Sequence, residues 1–279
     1  RRFRDSKPGG HGTVDLYKSI VVSSDTYYYM LANDLGIDAI AGFMKHFGFG
    51  ARSGIDLEGE AKGVLPSPEW KRERFGRPEQ QKWYAGETIS IGIGQGYNAY
   101  TPIQLALAVA TLAANGDMYR PRLASHVDNL RTGERRYVEP AVKHIALKAE
   151  NVEFVKRAMA GVNREGTGAR SFAGAQYSSG GKTGTAQVIG LKQGEKYDEK
   201  KVAERHRDHS LFIVFAPVES PKIALAVLVE NSGFGARVAA PIARTVLDYY
   251  LLGKLPERQA APASGPATET QDEDDEEDD

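Results

Sequence analysis

The sequence predicts a mixed α/β fold of the α+β type, in which helices cover an antiparallel sheet. Two near-continuous apolar runs at 209–217 and 222–230 are typical of buried strands, and the short proline-bounded connection between them predicts an antiparallel hairpin. Amphipathic helical patterns at 101–115 and 149–163 precede this hairpin, and an apolar helical pattern at 238–252 follows it. This order of helices, sheet and closing helix indicates the fold class.

The first part of the chain is predicted to be mostly helical. Apolar residues recur at helical spacing over 14–35, and Gly36 is a stop signal. Three consecutive residues of the helix-capping type at 23–25 predict a break inside this stretch. A short amphipathic helix is expected over 37–47. Residues 49–100 are rich in Gly, Pro and charge, and predict a long surface excursion with few regular elements.

The helix predicted after this excursion carries the clearest boundary signals. Thr101 is the expected N-cap, Pro102 takes the first helical position, and Gln104 completes a capping box. A β-rich patch is expected near 119–147. A further strand over 182–190 gives the main sheet three strands.

The composition is that of a soluble globular protein, with 41% hydrophobic and 26% charged residues among 279. No run of eighteen apolar residues predicts a membrane span. The absence of cysteine excludes disulfides, zinc–thiolate clusters and cysteine nucleophiles. The chain opens on Arg1 without an initiator Met or a signal peptide, which suggests an excised piece of a longer protein.

Charge is unevenly distributed along the chain. The formal net charge is -1, yet residues 257–279 hold ten acidic residues and one basic residue, so residues 1–256 carry +8. We expect 1–256 to be the folded part and 257–279 to be a disordered, solubilising acidic tail. The basic body suits an anionic neighbour such as phospholipid headgroups. No basic helix or interleaved aromatic stripe supports nucleic-acid binding.

The strongest local motif is Lys182-Thr183-Gly184-Thr185, at the start of a predicted strand. On a strand, the side chains of Thr183 and Thr185 face the same way, and the glycine between them lets a ligand lie against the backbone. An ammonium group and two hydroxyls on one strand edge can hold an extended peptide and its terminal carboxylate. Taken alone, the motif fits a surface turn equally well.

Two further motifs are ambiguous on their own. Ser23-Ser24-Asp25 fits plain helix capping. The glycine-rich run at 91–96 could cradle a phosphate in principle. However, it lacks the Lys-Ser/Thr pair and the strand-to-helix setting of a nucleotide-binding loop.

Taken in order, the three motifs resemble the transpeptidase domain of penicillin-binding proteins. They are Ser-x-Asp at 23–25, Gly-Ile-Gly-Gln-Gly at 92–96 with Thr-Pro-x-Gln-Leu-Ala at 101–106, and Lys-Thr-Gly-Thr at 182–185. The stretch from Gly10 to about Leu255 resembles the class B branch. Segments 54–57 and 91–97 are most similar to the penicillin-binding protein 2 group of rod-shaped Gram-negative bacteria. The resemblance implies a penicillin-binding transpeptidase and serine β-lactamase-like fold, incomplete at the N-terminus.

The resemblance implies a peptidoglycan D,D-transpeptidase. In the family, a serine attacks the carbonyl of a D-Ala-D-Ala stem peptide, and a neighbouring amine then takes the acyl group. Ser23 would relay a proton to the leaving amine. Asp25, where most relatives have Asn, would orient an upstream lysine, and Lys182 would set the electrostatics around Ser23 and the substrate carboxylate.

The substrate-binding residues implied by the resemblance are Thr183, Gly184 and Thr185. The two threonine hydroxyls would bind the substrate carboxylate. The backbone N–H of Thr185 would form half of the oxyanion hole.

The resemblance places the nucleophile, the serine of a Ser-x-x-Lys motif, upstream of this chain. The formal match at 179–182 is rejected because Gly180 and Gly181 oppose the helical turn that stacks serine on lysine. We therefore expect the C-terminal part of the transpeptidase domain, inactive alone. Two other classes stay open: a D,D-carboxypeptidase or β-lactamase of the same fold, which passes the acyl group to water, and a non-catalytic partner module.

The implied partners are peptidoglycan stem peptides, β-lactams and a membrane-embedded glycosyltransferase of the elongation machinery. The implied location is the periplasmic face of the inner membrane, reached through an upstream anchor. No cofactor is implied.

A metal site is also weighed from the resemblance, because some relatives carry zinc near the active site. Asp5 and His11 could occupy two ligand positions, but Ser24 stands where a cysteine is expected, and a serine hydroxyl is a poor zinc ligand. We therefore expect no metal. His206 and His209 are interpreted as part of a solvated, charged loop over 192–208.

Overall fold

The computed structural model of the protein describes residue 5, residues 7–190 and residues 202–254. The predicted tail at 257–279 and residues 192–201 of the charged loop lie outside the described residues. The described helices are α1 (Leu16–Val21), α2 (Asp25–His46), α3 (Pro68–Arg74), α4 (Pro78–Gln81), α5 (Ala85–Ile91), α6 (Pro102–Ala113), α7 (Ala149–Arg164), α8 (Ala169–Phe172) and α9 (Ala239–Leu252). The described strands are β1 (Asp117–Tyr119), β2 (His126–Asp128), β3 (Arg135–Tyr137), β4 (Val142–His144), β5 (Gly180–Ala186), β6 (His209–Ala216) and β7 (Ile223–Val229).

The main sheet is antiparallel, with strand order β5-β6-β7. Lys182 lies opposite Ile213, which in turn lies opposite Ala226. The predicted antiparallel hairpin between the two apolar runs is therefore confirmed, and the strand expected over 182–190 is present as β5, which pairs with β6. In the described part of the chain β5 is an edge strand, so one of its two hydrogen-bonding edges is not covered by another strand.

The central strand β6 is buried on both faces, as its continuous apolar sequence predicts. Phe212 and Val214 pack in one cluster with Ala240 and Leu247 of the closing helix α9. Phe215 packs in a second cluster with residues of α6 and α7. This three-layer arrangement confirms the predicted fold class of an antiparallel sheet covered by helices.

The N-terminal helices break where the capping residues predict. α1 ends at Val21, Ser24 is the N-cap of α2, and Asp15 caps α1 by accepting a hydrogen bond from Lys18 N. Gly36 has φ 76° and interrupts the helical backbone of α2. The stop signal at Gly36 therefore marks a kink within one long element.

The excursion at 49–100 is more regular than predicted, because it contains the three short helices α3, α4 and α5. Their packing depends on a buried ion pair between Lys71 Nζ and Glu87 Oε1, surrounded by aromatic rings. Contacts of this kind join positions 16 residues apart and leave no periodic signal in the sequence.

The boundary signals of α6 are confirmed. Thr101 is its N-cap, and the capping box with Gln104 is formed in both directions. The buried Gln104 amide also donates to the carbonyls of Ala51 and Lys62, which ties the excursion to this helix. The predicted β-rich patch consists of two small antiparallel pairs, β1 with β4 and β2 with β3.

Among the helices described, none combines the length and the apolar character needed to cross a bilayer.

Candidate active site

The α1–α2 junction and strand β5 meet at a contact between Ser23 and Lys182. Lys182 Nζ donates a hydrogen bond to Ser23 Oγ at 2.7 Å, although 159 positions separate the two residues. Ser23 has φ 57°, in the left-handed region that residues other than glycine rarely adopt. The strained junction thus holds the Ser23 hydroxyl against the sheet, a pattern common at functional sites.

The pKa of the Lys182 side chain differs from that of an ordinary lysine. Burial lowers the pKa of its ammonium group to about 8, and the negative charge of Asp25 opposes this shift. Lys182 Nζ also donates to Thr183 O at 3.0 Å. An amine with this pKa, hydrogen-bonded to a hydroxyl, is suited to general acid–base catalysis through that hydroxyl.

The uncovered edge of β5 presents backbone polar groups. Thr185 O accepts a hydrogen bond from Gln95 Nε2 at 2.6 Å, and Gln187 N donates to Gln95 Oε1 at 3.3 Å. In an antiparallel strand, the N–H and C=O of one residue point to the same side. The Thr185 N–H therefore also points to this edge, where it can donate to an incoming carbonyl oxygen.

The side chains of the Lys-Thr-Gly-Thr segment are partly buried. Thr183 Oγ1 lies 2.9 Å from Thr167 Oγ1. A Cβ atom added to Gly184 would lie 3.1 Å from Leu211 Cβ, so the absence of a side chain permits close packing with β6. The structure thus brings Ser23, Lys182 and Thr183 together, while the ligand-binding role of Gly184 stays a prediction.

Sequence reasoning missed two residues of this region. Thr167 lies in the turn after α7, where Thr167 N donates to Val21 O at 3.3 Å and Gly166 approaches Val21 too closely for any side chain. The Gly-Thr-Gly sequence at 166–168 was an available signal. Gln95 belongs to the glycine-rich motif that was recognised, but nothing local indicates that its side chain reaches β5.

The rejected Ser-x-x-Lys match is confirmed not to be helical. Ser179 lies next to the first residue of β5, and its Oγ accepts a hydrogen bond from Asn163 Nδ2 at 2.9 Å. Lys182 points instead to Ser23. This pair therefore lacks the one-turn stacking of a serine nucleophile on its lysine.

The residues considered for a metal do lie together. Asp5 Oδ2 accepts from Ser24 Oγ at 3.1 Å and from Thr26 N at 3.3 Å. His11 Nε2 lies 3.1 Å from Asp5 Oδ1, an ion-pair distance without hydrogen-bonding geometry. Although burial opposes it, the hydrogen bond from the Thr26 backbone helps to hold the pKa of Asp5 below its usual value.

This donor set does not fit a tetrahedral zinc site, which takes four good ligands. Ser24 offers a hydroxyl that already donates to Asp5. Within the described ranges, no group of three His, Cys, Asp or Glu side chains is placed to hold a metal. His209, the other histidine considered, lies on β6, and its Nδ1 accepts from Asn231 N at 2.9 Å.

Comparison with known proteins gives matches along most of the chain. Residues 2–248 match the family described as "Penicillin binding protein transpeptidase domain". The chain is 42% identical over 261 residues to Peptidoglycan D,D-transpeptidase MrdA of Haemophilus influenzae, covering 92% of this chain and 39% of that protein. It is 41% identical over 271 residues to the protein of the same name from Escherichia coli K12, covering 96% of this chain and 41% of that protein.

Solved structures give the same result. Pseudomonas aeruginosa PBP2, solved with WCK 5153, superposes with a TM-score of 0.75 at 40% identity, covering 94% of this chain and 55% of that chain. Helicobacter pylori PBP2, solved in complex with MreC, gives a TM-score of 0.73 at 29% identity, covering 90% of this chain and 43% of that chain. The chain spans about two fifths of the length of these two MrdA proteins. The family match over residues 2–248 and the identities to MrdA proteins show that this chain belongs to the penicillin-binding protein transpeptidase domain family.

Proposed function

We propose that this chain is the C-terminal part of a peptidoglycan D,D-transpeptidase, which cross-links stem peptides through a serine acyl-enzyme during cell-wall elongation. The observation that carries the proposal is the contact of Lys182 Nζ with Ser23 Oγ beside the uncovered edge of β5. It combines a proton-transfer pair with a strand edge on which an extended peptide can lie.

Lys182, Ser23 and Asp25 have different proposed roles in proton transfer. Lys182 is mostly protonated at pH 7 because its pKa is about 8. Since its ammonium group donates to Ser23 Oγ, Lys182 can transfer a proton to that oxygen as the Ser23 hydroxyl passes its own proton to the leaving amine. Asp25 adds a negative charge that favours the protonated lysine.

The β5 edge binds and polarises the substrate. The Thr183 hydroxyl and the Lys182 ammonium group attract the terminal carboxylate, and the Thr185 hydroxyl completes this set. The Thr185 N–H donates to the carbonyl oxygen as negative charge develops on it. Donors aimed at such an oxyanion contribute a factor on the order of 10²–10³ to the rate.

The nucleophile is proposed to come from a Ser-x-x-Lys helix that precedes Arg1 in the parent protein. The one Ser-x-x-Lys match in the sequence is at 179–182, and it is not helical. A membrane anchor is proposed on the same upstream side, which would hold the domain at the periplasmic face of the inner membrane.

The proposed partners are a membrane-embedded glycosyltransferase and the elongation machinery, with β-lactams as inhibitors. Two structural relatives support this choice. The H. pylori PBP2 structure contains MreC. Another match, at 27% identity and a TM-score of 0.74, belongs to a peptidoglycan synthase complex that coordinates polymerisation and crosslinking.

The test is product analysis with the parent protein and a D-Ala-D-Ala stem peptide, with and without an acceptor amine. A transpeptidase releases D-Ala and forms a cross-linked product that requires the acceptor. D-Ala release without cross-links would indicate a carboxypeptidase, and hydrolysis of penicillin would indicate a β-lactamase. No reaction with peptide or penicillin would indicate a non-catalytic partner module.

A further inference from the structure

Gln95 connects the excursion to the β5 edge across a large gap in sequence. Its carboxamide donates to Thr185 O at 2.6 Å and accepts from Gln187 N at 3.3 Å, across separations of 90 and 92 positions. One side-chain amide therefore satisfies a carbonyl and an N–H of the uncovered edge, as a backbone amide of a neighbouring strand would. We call this pair of hydrogen bonds the Gln95 clamp.

The backbone around Gln95 is held on both sides. Gln95 N donates to Ser90 O at 3.1 Å, and Gln95 O accepts from Asn98 Nδ2 at 3.1 Å. Gly94 and Gly96 flank it with φ 78° and 72°, in the left-handed region that favours glycine. The side chain thus projects from a turn whose direction is fixed.

The same turn is also held two residues after Gln95, at Tyr97, which packs in a cluster of charged and aromatic residues of the excursion. The Tyr97 hydroxyl donates to Glu87 Oε1 at 3.1 Å, and Glu87 also pairs with the buried Lys71. The Tyr97 ring centroid lies 5.2 Å from that of Trp70 and 6.4 Å from that of Trp83. A charged and aromatic cluster around the buried Lys71 therefore supports the residue that reaches β5.

We propose that Gln95 is a positioning residue of the active site. The Gln95 clamp holds the strand immediately after Thr185, and so holds the Thr185 N–H in line with the carbonyl that is attacked. This inference rests on the proposed function of the β5 edge. The proposed function of the excursion at 49–100 is to place the Gln95 side-chain amide at the β5 edge.

The first experiment compares Gln95→Ala with Gln80→Ala in the parent protein. Gln80 is an exposed glutamine of the same excursion. Stopped-flow measurements with penicillin separate the initial dissociation constant from the acylation rate constant. We expect Gln95→Ala to lower the rate constant by about 10-fold to 100-fold with little change in the dissociation constant, because a misdirected oxyanion donor acts on the transition state.

Gln80→Ala should acylate as the wild type does. A Gln95→Ala rate constant within about twofold of the wild type overturns the proposal. A faster rate also overturns it, since Gln95 would then block the edge until ligand displaces it.

A double-mutant cycle separates positioning from plain stabilisation. Tyr97→Phe removes the hydroxyl that donates a hydrogen bond to Glu87. Like Gln95→Ala, it should lower the acylation rate constant. If Tyr97 acts through Gln95, Tyr97→Phe has no further effect once the Gln95 amide is absent. If the effects of the two substitutions on the acylation rate constant multiply in the double variant, Tyr97 does not act through Gln95.

The last measurement does not depend on enzymatic activity. Amide hydrogen exchange in the parent protein should be faster at Gln187 in Gln95→Ala than in Gln80→Ala, since the hydrogen bond from Gln187 N to the Gln95 side chain is lost. Unchanged exchange at the Gln187 amide overturns the inference. If the wild type is not acylated by penicillin, the proposed function fails, while this exchange result still decides whether the Gln95 clamp holds the edge.

Discussion

The hydroxyl oxygens of Thr167 and Thr183 lie 2.9 Å apart, which joins the turn after α7 to the β5 edge. Thr167 is in turn held against the end of α1 through its hydrogen bond to Val21 O. A short path of contacts therefore links the Lys-Thr-Gly-Thr strand to the junction that carries Ser23.

The contact between Thr167 and Thr183 predicts that replacing each residue with valine weakens penicillin binding to a different extent. Thr183→Val in the parent protein removes a hydroxyl that we propose binds the ligand carboxylate, and it should weaken penicillin binding by about 10-fold to 100-fold, since a hydrogen bond to a charged group contributes about 1.5–3 kcal/mol. Thr167→Val removes a hydroxyl that contacts Thr183 but is not proposed to touch the ligand, and should weaken binding less. Dissociation constants from the acylation kinetics test this order, and a larger effect at Thr167 would contradict it.

The lowered pKa of Lys182 predicts a pH-dependent cost in stability. The pKa is about 8 in the folded chain, against 10.5 for an ordinary lysine. Between these values the unfolded chain binds more protons, so the stability contribution of Lys182 rises with pH, and below pH 8 its buried charge is a penalty. Lys182→Met should therefore be at least as stable as the wild type at pH 7.

Urea unfolding of both proteins at several pH values between 7 and 10 tests this prediction. The advantage of Lys182→Met should shrink as the pH rises from about 8 to about 10. The prediction is contradicted if Lys182→Met is less stable than the wild type at pH 7 and its stability relative to the wild type increases as the pH rises.

The left-handed backbone of Ser23, at φ 57°, predicts a difference between two variants that both lack the hydroxyl. Ser23→Gly should be more stable than Ser23→Ala by about 1 kcal/mol, because glycine adopts this conformation without the Cβ clash. Acylation of the parent protein should fall equally in both. Equal denaturation midpoints would show that the junction carries no backbone strain.

The ion pair between the buried Lys71 and the partly buried Glu87 predicts a large stability effect in the excursion. Glu87→Ala leaves the buried Lys71 ammonium group without a carboxylate partner and should cost about 3–5 kcal/mol of unfolding free energy. The control is Glu69→Ala, which breaks an exposed pair with Arg72 at 2.9 Å and should change the unfolding free energy far less, because solvent screens an exposed ion pair. Chemical denaturation measures both values, and similar losses would contradict the role assigned to burial.

Local signals were sufficient for much of the fold. The capping box at Thr101, the break before Asp25 and the hairpin of two apolar strands each depend on residues close together in sequence, and all three are confirmed. The short helices of the excursion were not predicted, because the Lys71–Glu87 pair that packs them has no periodic pattern.

The site was predicted in a different way. Ser23 and Lys182 were identified from the order of family motifs, and the structure places them in contact. Thr167 and Gln95 were missed because their partners lie 16 and about 90 positions away, so their contacts depend on the completed fold.

Intact-mass spectrometry after incubation with penicillin shows whether Lys182 serves the proposed acylation site on the β5 edge. The parent protein should gain one penicillin adduct. A folded Lys182→Ala variant of the parent should gain none, and neither should the 279-residue chain, which lacks a helical Ser-x-x-Lys. Near-normal adduct formation on folded Lys182→Ala would contradict the assignment of this site, and a stoichiometric adduct on the 279-residue chain would place the nucleophile within it.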